Sequence, residues 1–181
     1  MDSGQFFLEA RVSVKVGDIT KEGVDAIVNA ANGTLMGGGG VDGAIHRAGG
    51  PAVMADLERR YGRDRHCPTG SAVVSDAGDL PASWVIHAVG PIWRGGAAGE
   101  PDLLASAYRT SLNLAAGLGA RTVSLPAISA GIYGYPVELA ARIAIDTVRE
   151  ILEAEPGSID RVTFVLFSQS TFDVFEDALS P

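Results

Sequence analysis

The stretch Asp25–Gly50, DAIVNAANGTLMGGGGVDGAIHRAGG, decides the fold. Asp25 to Asn29 is a short apolar run bounded by polar residues and reads as a strand, and Val41 to Ala48 reads as a helix. Eight of the eighteen residues from Gly33 to Gly50 are glycine, and Gly37-Gly38-Gly39-Gly40 stands between strand and helix. Glycine permits positive φ and close backbone approach to a ligand. Bare amides running into a helix N-terminus form an anion site, because the unsatisfied N–H groups and the positive end of the helix dipole point the same way. The competing reading is a flexible surface loop.

Outward from this stretch, strands are expected at Phe6–Val16, Ser71–Asp76, Trp84–Val89, Arg121–Leu125 and Arg161–Phe167. Helices are expected at Pro51–Tyr61, Asp102–Leu118, Pro136–Glu155 and Thr171–Leu179, with turns at Gly17-Asp18 and Gly78-Asp79-Leu80-Pro81. Such alternation implies an α/β fold with a central mixed, largely parallel sheet between helical layers. With 181 residues and no internal repeat or linker, one domain over 1–181 is expected.

A second loop repeats the design. Strand Arg121–Leu125 leads to Ser129-Ala130-Gly131-Ile132-Tyr133-Gly134 and then to a helix opened by Pro136. Neither loop carries a cation: Asn29 to His46 holds only the charge of Asp42, and Thr122 to Ala141 only that of Glu138. Any phosphate here is held by neutral amides, whose fixed directions select its geometry. Both loops leave the carboxyl ends of strands, where open α/β sheets bind ligands.

Composition narrows the function. Lys and Arg total 14 against 22 Asp and Glu, a net charge of −8, which argues against nucleic-acid or anionic-membrane partners held by bulk charge. The single Cys67 excludes a disulfide framework and multi-cysteine metal sites, and His46, His66 and His87 are too scattered for a metal motif, so neither metal nor cofactor is expected. Met1 to Val16 lacks an apolar run of signal-peptide type, and Thr122–Val137 is interrupted by Pro and Gly; a cytoplasmic protein is expected. Gly38, Gly40 and Gly43 satisfy G-x-G-x-x-G, but too far past the strand end for a dinucleotide fold, and no Walker lysine exists. Ala127-Ile128-Ser129-Ala130-Gly131 approximates a nucleophile elbow, yet every histidine precedes Ser129.

In order, Gly17-Asp18-Ile19-Thr20, Val28-Asn29-Ala30-Ala31-Asn32, Gly37–Gly40 with Val41-Asp42-Gly43-Ala44-Ile45-His46-Arg47, Cys67-Pro68-Thr69-Gly70, Val85 to Pro91, Trp93-Arg94-Gly95-Gly96 and Gly131 to Pro136 resemble a macrodomain of the MacroD type over nearly the whole chain. The resemblance implies a three-layer α/β/α macrodomain that binds ADP-ribose. It implies hydrolysis of esters at the distal ribose, in O-acetyl-ADP-ribose or in mono-ADP-ribosylated Asp and Glu side chains of proteins. A monomer is expected, and a non-catalytic ADP-ribose reader is the alternative.

By the same resemblance Asp18 accepts from the adenine amino group with the Ile19 amide nearby, and Phe167 packs on the adenine ring; a turn residue and a core aromatic are the plain alternatives. Gly39, Gly40 and Val41 of the first loop, and Ser129, Ala130, Gly131, Ile132 and Tyr133 of the second, hold the diphosphate and distal ribose, Tyr133 alternatively serving only as a lid. Asn32 and Asp42 fix the distal ribose. Asp42 beside a bound diphosphate has its pKa raised by like charge and holds the nucleophilic water, whose proton goes to Asp42 or to the diphosphate. His46, four residues on, either hydrogen-bonds Asp42 or fills the helix–sheet interface. Within its apolar strand His87 reads as a satisfied core histidine, and Cys67 as an inert thiol. Ala130 stands where the family often has Thr, and Gly49 where it often has Ala, which touches fine tuning more than binding.

Overall fold

Strand β1 (Val12–Val16) is the first element of a computed structural model that describes residues 11–180; the start of the expected Phe6–Val16 strand lies outside the described residues. There follow β2 (Val24–Ala31), α1 (Gly40–Gly49), α2 (Pro51–Tyr61), β3 (Ala72–Asp76), β4 (Ala82–Val89), α3 (Glu100–Gly117), β5 (Thr122–Leu125), α4 (Val137–Ala154), β6 (Arg161–Leu166) and α5 (Gln169–Leu179). The strands lie in the order β1-β6-β5-β2-β4-β3. β3 runs antiparallel to β4 and every other neighbouring pair is parallel.

The period of two along each strand sends alternate side chains to opposite faces. On one face Ala26, Val28, Ile86, Val123, Leu125 and Phe164 meet α3, α4 and α5 through Leu104, Tyr108, Leu112, Ala144, Ile145, Val148 and Phe175. On the other, Ile27, Val85 and Val165 pack under Ile45 of α1, while Ala31 and Val89 pack under Leu57 of α2. The result is the expected three-layer α/β/α arrangement.

Boundaries differ from the sequence reading where tertiary contacts act. β2 continues past Asn29 to Ala31 because its ladder with β4 persists through Asn29↔His87 and Ala31↔Val89. The Gly17-Asp18 turn tightens into a 3₁₀ turn at Ile19–Lys21, with Asp18 as its cap. α3 starts two residues early, at Glu100, whose buried carboxylate accepts from the N–H groups of Arg94 and Ala98 at 3.2 and 3.1 Å.

β2 and β5 are neighbours and parallel. The two glycine loops therefore emerge side by side, at the point where connections leave for opposite faces of the sheet.

Candidate functional site

The loops touch: a Cβ on Gly39 would lie 3.5 Å from Cδ1 of Ile132. In the first loop, the N–H groups of Gly38, Gly39, Gly40 and Val41 donate to no backbone or side-chain acceptor among the described residues; in the second, those of Gly131, Ile132 and Tyr133 do not either. Buried donors left bare are costly, so these lie where solvent or a ligand accepts from them. Gly37, at φ 85°, turns the chain into the first row. Among the described residues the non-glycine residues at positive φ are Leu35 and Ser129, one per loop, and such conformations persist only where the surroundings enforce them.

Asp42 stands in the first turn of α1, 5% exposed. Its Oδ1 accepts from Asn29 Nδ2 at 2.6 Å and lies 3.4 Å from His46 Nε2. Burial alone pushes the Asp42 carboxyl up, but the hydrogen bonds from His46 and Asn29 outweigh it and hold the group below its ordinary range. The raised pKa expected of Asp42 is therefore absent from the free site, and a bound diphosphate would have to supply it. His46 does pair with Asp42, and its ring lies 5.8 Å from that of His87.

Asn32 and Asp42 flank one glycine: a Cβ on Gly38 would meet Asp42 Oδ2 at 3.1 Å and Asn32 Nδ2 at 3.4 Å. Asn32 also shapes its own loop, donating to Gly37 O at 2.9 Å and accepting from Thr34 Oγ1 at 2.7 Å. Beneath the same loop Arg65, 7% exposed, donates to Leu35 O at 3.3 Å and lies against the sulfurs of Met36 and Met54. The loop itself is free of cations, as its sequence shows, yet a buried guanidinium from elsewhere in the chain supports it.

At the far end, Asp18 and Phe167 follow the adjacent strands β1 and β6, joined there by the Gly17 N–H donating to Leu166 O at 2.9 Å. Phe167 is 87% exposed, which removes its core reading. The turn role of Asp18 is realised, since its Oδ1 accepts from Thr20 N and Oγ1 at 2.9 and 2.7 Å; these bonds hold the carboxyl below its ordinary range. Ile19 is buried against Ile27 and Ile45, so only its backbone can serve a ligand.

The second loop is pinned from below and from the side. Tyr108 of α3, fully enclosed, donates to Pro126 O at 3.0 Å and accepts from Ile128 N at 2.9 Å. The Trp93 N–H donates to Tyr133 O at 2.9 Å, and the Trp93 ring leans on Tyr135 with centroids 4.6 Å apart. Ser129 is buried and its Oγ has no partner among the described residues. A Cβ on Gly90 would lie 2.2 Å from that oxygen, so only glycine fits there. The strained turn resembles a nucleophile elbow, but among the described residues no base is hydrogen-bonded to Ser129 Oγ. Ala130 and Gly131 complete the turn without side-chain chemistry.

Residues read from the sequence as one site therefore occupy one edge of the sheet: Asp18, Ile19 and Phe167 at one end, the two loops in the middle, and Asn32, Asp42 and His46 at the other. Sequence reasoning missed Asn29, Arg65 and Tyr108. The signal for Asn29 is a polar residue inside the apolar run Ala26–Ala31, matched by His87 inside Val85–Val89. His87 is wholly buried and uses both ring nitrogens, bonding Asn29 Nδ2 at 3.1 Å and Ser75 Oγ at 2.9 Å. Cys67 is buried, and burial pushes its thiol up, as an inert cysteine requires. Among the described residues no group of three His, Cys, Asp or Glu side chains could hold a metal ion, and no helix is long and apolar enough to cross a membrane.

The Macro domain family model matches residues 28–144. An O-acetyl-ADP-ribose deacetylase of Cronobacter sakazakii is 51% identical over 172 residues, covering 95% of each chain. Among solved structures, the Oceanobacillus iheyensis macrodomain with ADP superposes with a TM-score of 0.84 at 40% identity, over 92% of this chain and 88% of that one. A Trypanosoma brucei macrodomain in complex with ADP-ribose gives 0.83 at 38% identity, over 94% of this chain and 69% of that one.

Proposed function

The chain belongs to the Macro domain family, and from that premise we propose that it binds ADP-ribose across its two glycine loops and hydrolyses esters of the distal ribose. O-acetyl-ADP-ribose is one substrate class, and proteins mono-ADP-ribosylated on Asp or Glu are the other. The observation that carries the reading is the double row of unpartnered N–H groups, bounded at one end by exposed Phe167 and Asp18 and at the other by buried, hydrogen-bonded Asp42. That order of groups suits an aromatic base, a diphosphate and a sugar in series.

Adenine stacks on Phe167 and donates its amino group to the free Oδ2 of Asp18. The diphosphate oxygens accept from Gly38–Val41 and Gly131–Tyr133, which places the distal ribose against Asn32 and Asp42. Asp42, ionised, accepts a hydrogen bond from a water that it shares with the diphosphate. The water oxygen bonds either to the ester carbonyl carbon, whose bond to the ribose oxygen then breaks, or to the anomeric carbon, whose bond to the carboxylate oxygen then breaks. The proton it gives to Asp42 or phosphate passes on to the departing oxygen, leaving the carboxylic acid and ADP-ribose. His46 and Asn29 keep Asp42 ionised and in place.

Incubation with O-acetyl-ADP-ribose should release acetate and ADP-ribose, and a glutamate-linked mono-ADP-ribosylated protein should lose free ADP-ribose. Heavy-oxygen water then shows whether the label enters the acid or the sugar. Binding of ADP-ribose without release above a heat-treated control from either substrate would make the chain a reader module instead.

A further inference from the structure

The enzyme reading makes Asp42 the group that holds the hydrolytic water, and the following rests on it. We propose that His87, with Ser75 behind it, is a positioning residue that fixes the direction of a buried hydrogen-bond chain, so that Asn29 always turns an N–H toward Asp42.

The chain crosses the sheet beneath α1. Ser75 on β3, His87 on β4 and Asn29 on β2 are all completely buried, and Asp42 closes the chain from the helix. Its far end sets its polarity. Ser75 Oγ donates its one proton to Asp76 O at 3.0 Å, so toward His87 Nε2, at 2.9 Å, it can only accept. Nε2 must then carry the ring proton. Complete burial is the main reason His87 titrates low, at about 3; the charges of His46 and Arg65 add to this and that of Asp42 opposes it. Near pH 7 the ring is neutral, and Nδ1 is a bare lone pair.

That lone pair faces Asn29 Nδ2 at 3.1 Å and accepts one of its two N–H groups; the other reaches Asp42 Oδ1 at 2.6 Å. Asn29 Oδ1 accepts from no group among the described residues, so nothing else orients the amide. With the ring proton on Nδ1, Asn29 would turn its oxygen to His87 and aim the same oxygen at a carboxylate. The backbone carbonyl of Asp76, four hydrogen bonds away, thus decides whether Asp42 receives a donor or a repelling acceptor. A histidine that merely filled space would have no use for this polarity.

Nitrogen-detected NMR of the ring in the free protein should show Nε2 protonated and Nδ1 bare. In His87→Leu, the carbon-detected titration of the Asp42 carboxyl should move up. Its kcat for O-acetyl-ADP-ribose should fall on the order of tenfold with KM unchanged, the loss of part of one charge-assisted hydrogen bond. His87→Asn, whose Oδ1 can accept where Nδ1 does, should recover most of that loss. If His87→Leu fails to fold, Ser75→Ala reads the same chain from its other end, with a mixture of ring tautomers and a smaller upward shift at Asp42. A proton on Nδ1 of the native protein overturns the proposal. So does a folded His87→Leu, or Ser75→Ala in its place, with native Asp42 titration. Because ring and carboxyl are read without turnover, absence of activity in the native protein would count against the proposed reaction and leave these spectra to judge the chain.

Discussion

Asp42 is the side chain on which the proposed chemistry turns. Asp42→Ala should lower kcat on the order of 10²-fold, the usual weight of a general acid–base group, while calorimetry finds ADP-ribose still bound by the amide rows. Unchanged turnover would move the base role to the substrate diphosphate. Phe167→Ala should weaken ADP-ribose roughly tenfold with no change in kcat, the scale of one base-stacking contact; an unaltered Kd would place the base elsewhere. Individual residues were unevenly legible. Asp18, Asn32, Asp42 and His46 fall within contiguous motifs that declare themselves in sequence. Asn29 and His87 lie within such motifs too, but their roles do not show there, because each is one polar residue in an apolar strand and their meeting depends on the β2–β4 register. Phe164 and Phe167 show the same limit: three residues apart in one sequence, one is fully buried and the other almost fully exposed.

Among elements, the second glycine loop depends on supports that lie outside it. Tyr108→Phe strips a buried carbonyl and a buried N–H of their partner, at a cost of about 1–3 kcal/mol in urea unfolding, and should weaken ADP-ribose as the Pro126–Ile128 start of the loop loosens. Stability and affinity equal to the native protein's would show that the loop holds its own shape. The alternation of strands and helices was legible because the apolar periods of two and 3.6 separate cleanly along this chain. The early start of α3 was not, since Glu100 turns its charge inward to hold backbone of the preceding loop, against the rule that charges face out. The extension of β2 was hidden for a related reason: strand ladders end where partners end, and partners are remote in sequence.

For the molecule as a whole, two buried groups tie stability to pH in one direction. His87 keeps its proton off down to about 3 when folded but takes one below 6.5 when unfolded, so the unfolded state binds more protons as pH falls through that window and stability is lost. Asp42, held below its ordinary value of 3.8, adds stability that is complete above that value and lost as pH drops through its folded pKa. Thermal midpoints should therefore decline from pH 6.5 toward 4, and in His87→Leu the decline should be shallower by about one proton's worth of slope. Parallel profiles would contradict a neutral His87.

The same scale carries the claim that uncharged backbone amides grip an anion on a protein of net charge −8. Calorimetric titration with ADP-ribose at low and high salt tests it most directly. A cradle of amides predicts an affinity that is flat or slightly stronger at high salt, as screening relieves repulsion between an acidic protein and a diphosphate. No binding heat, or an affinity that falls steeply with salt as contacts to exposed Lys or Arg would make it fall, would contradict the account.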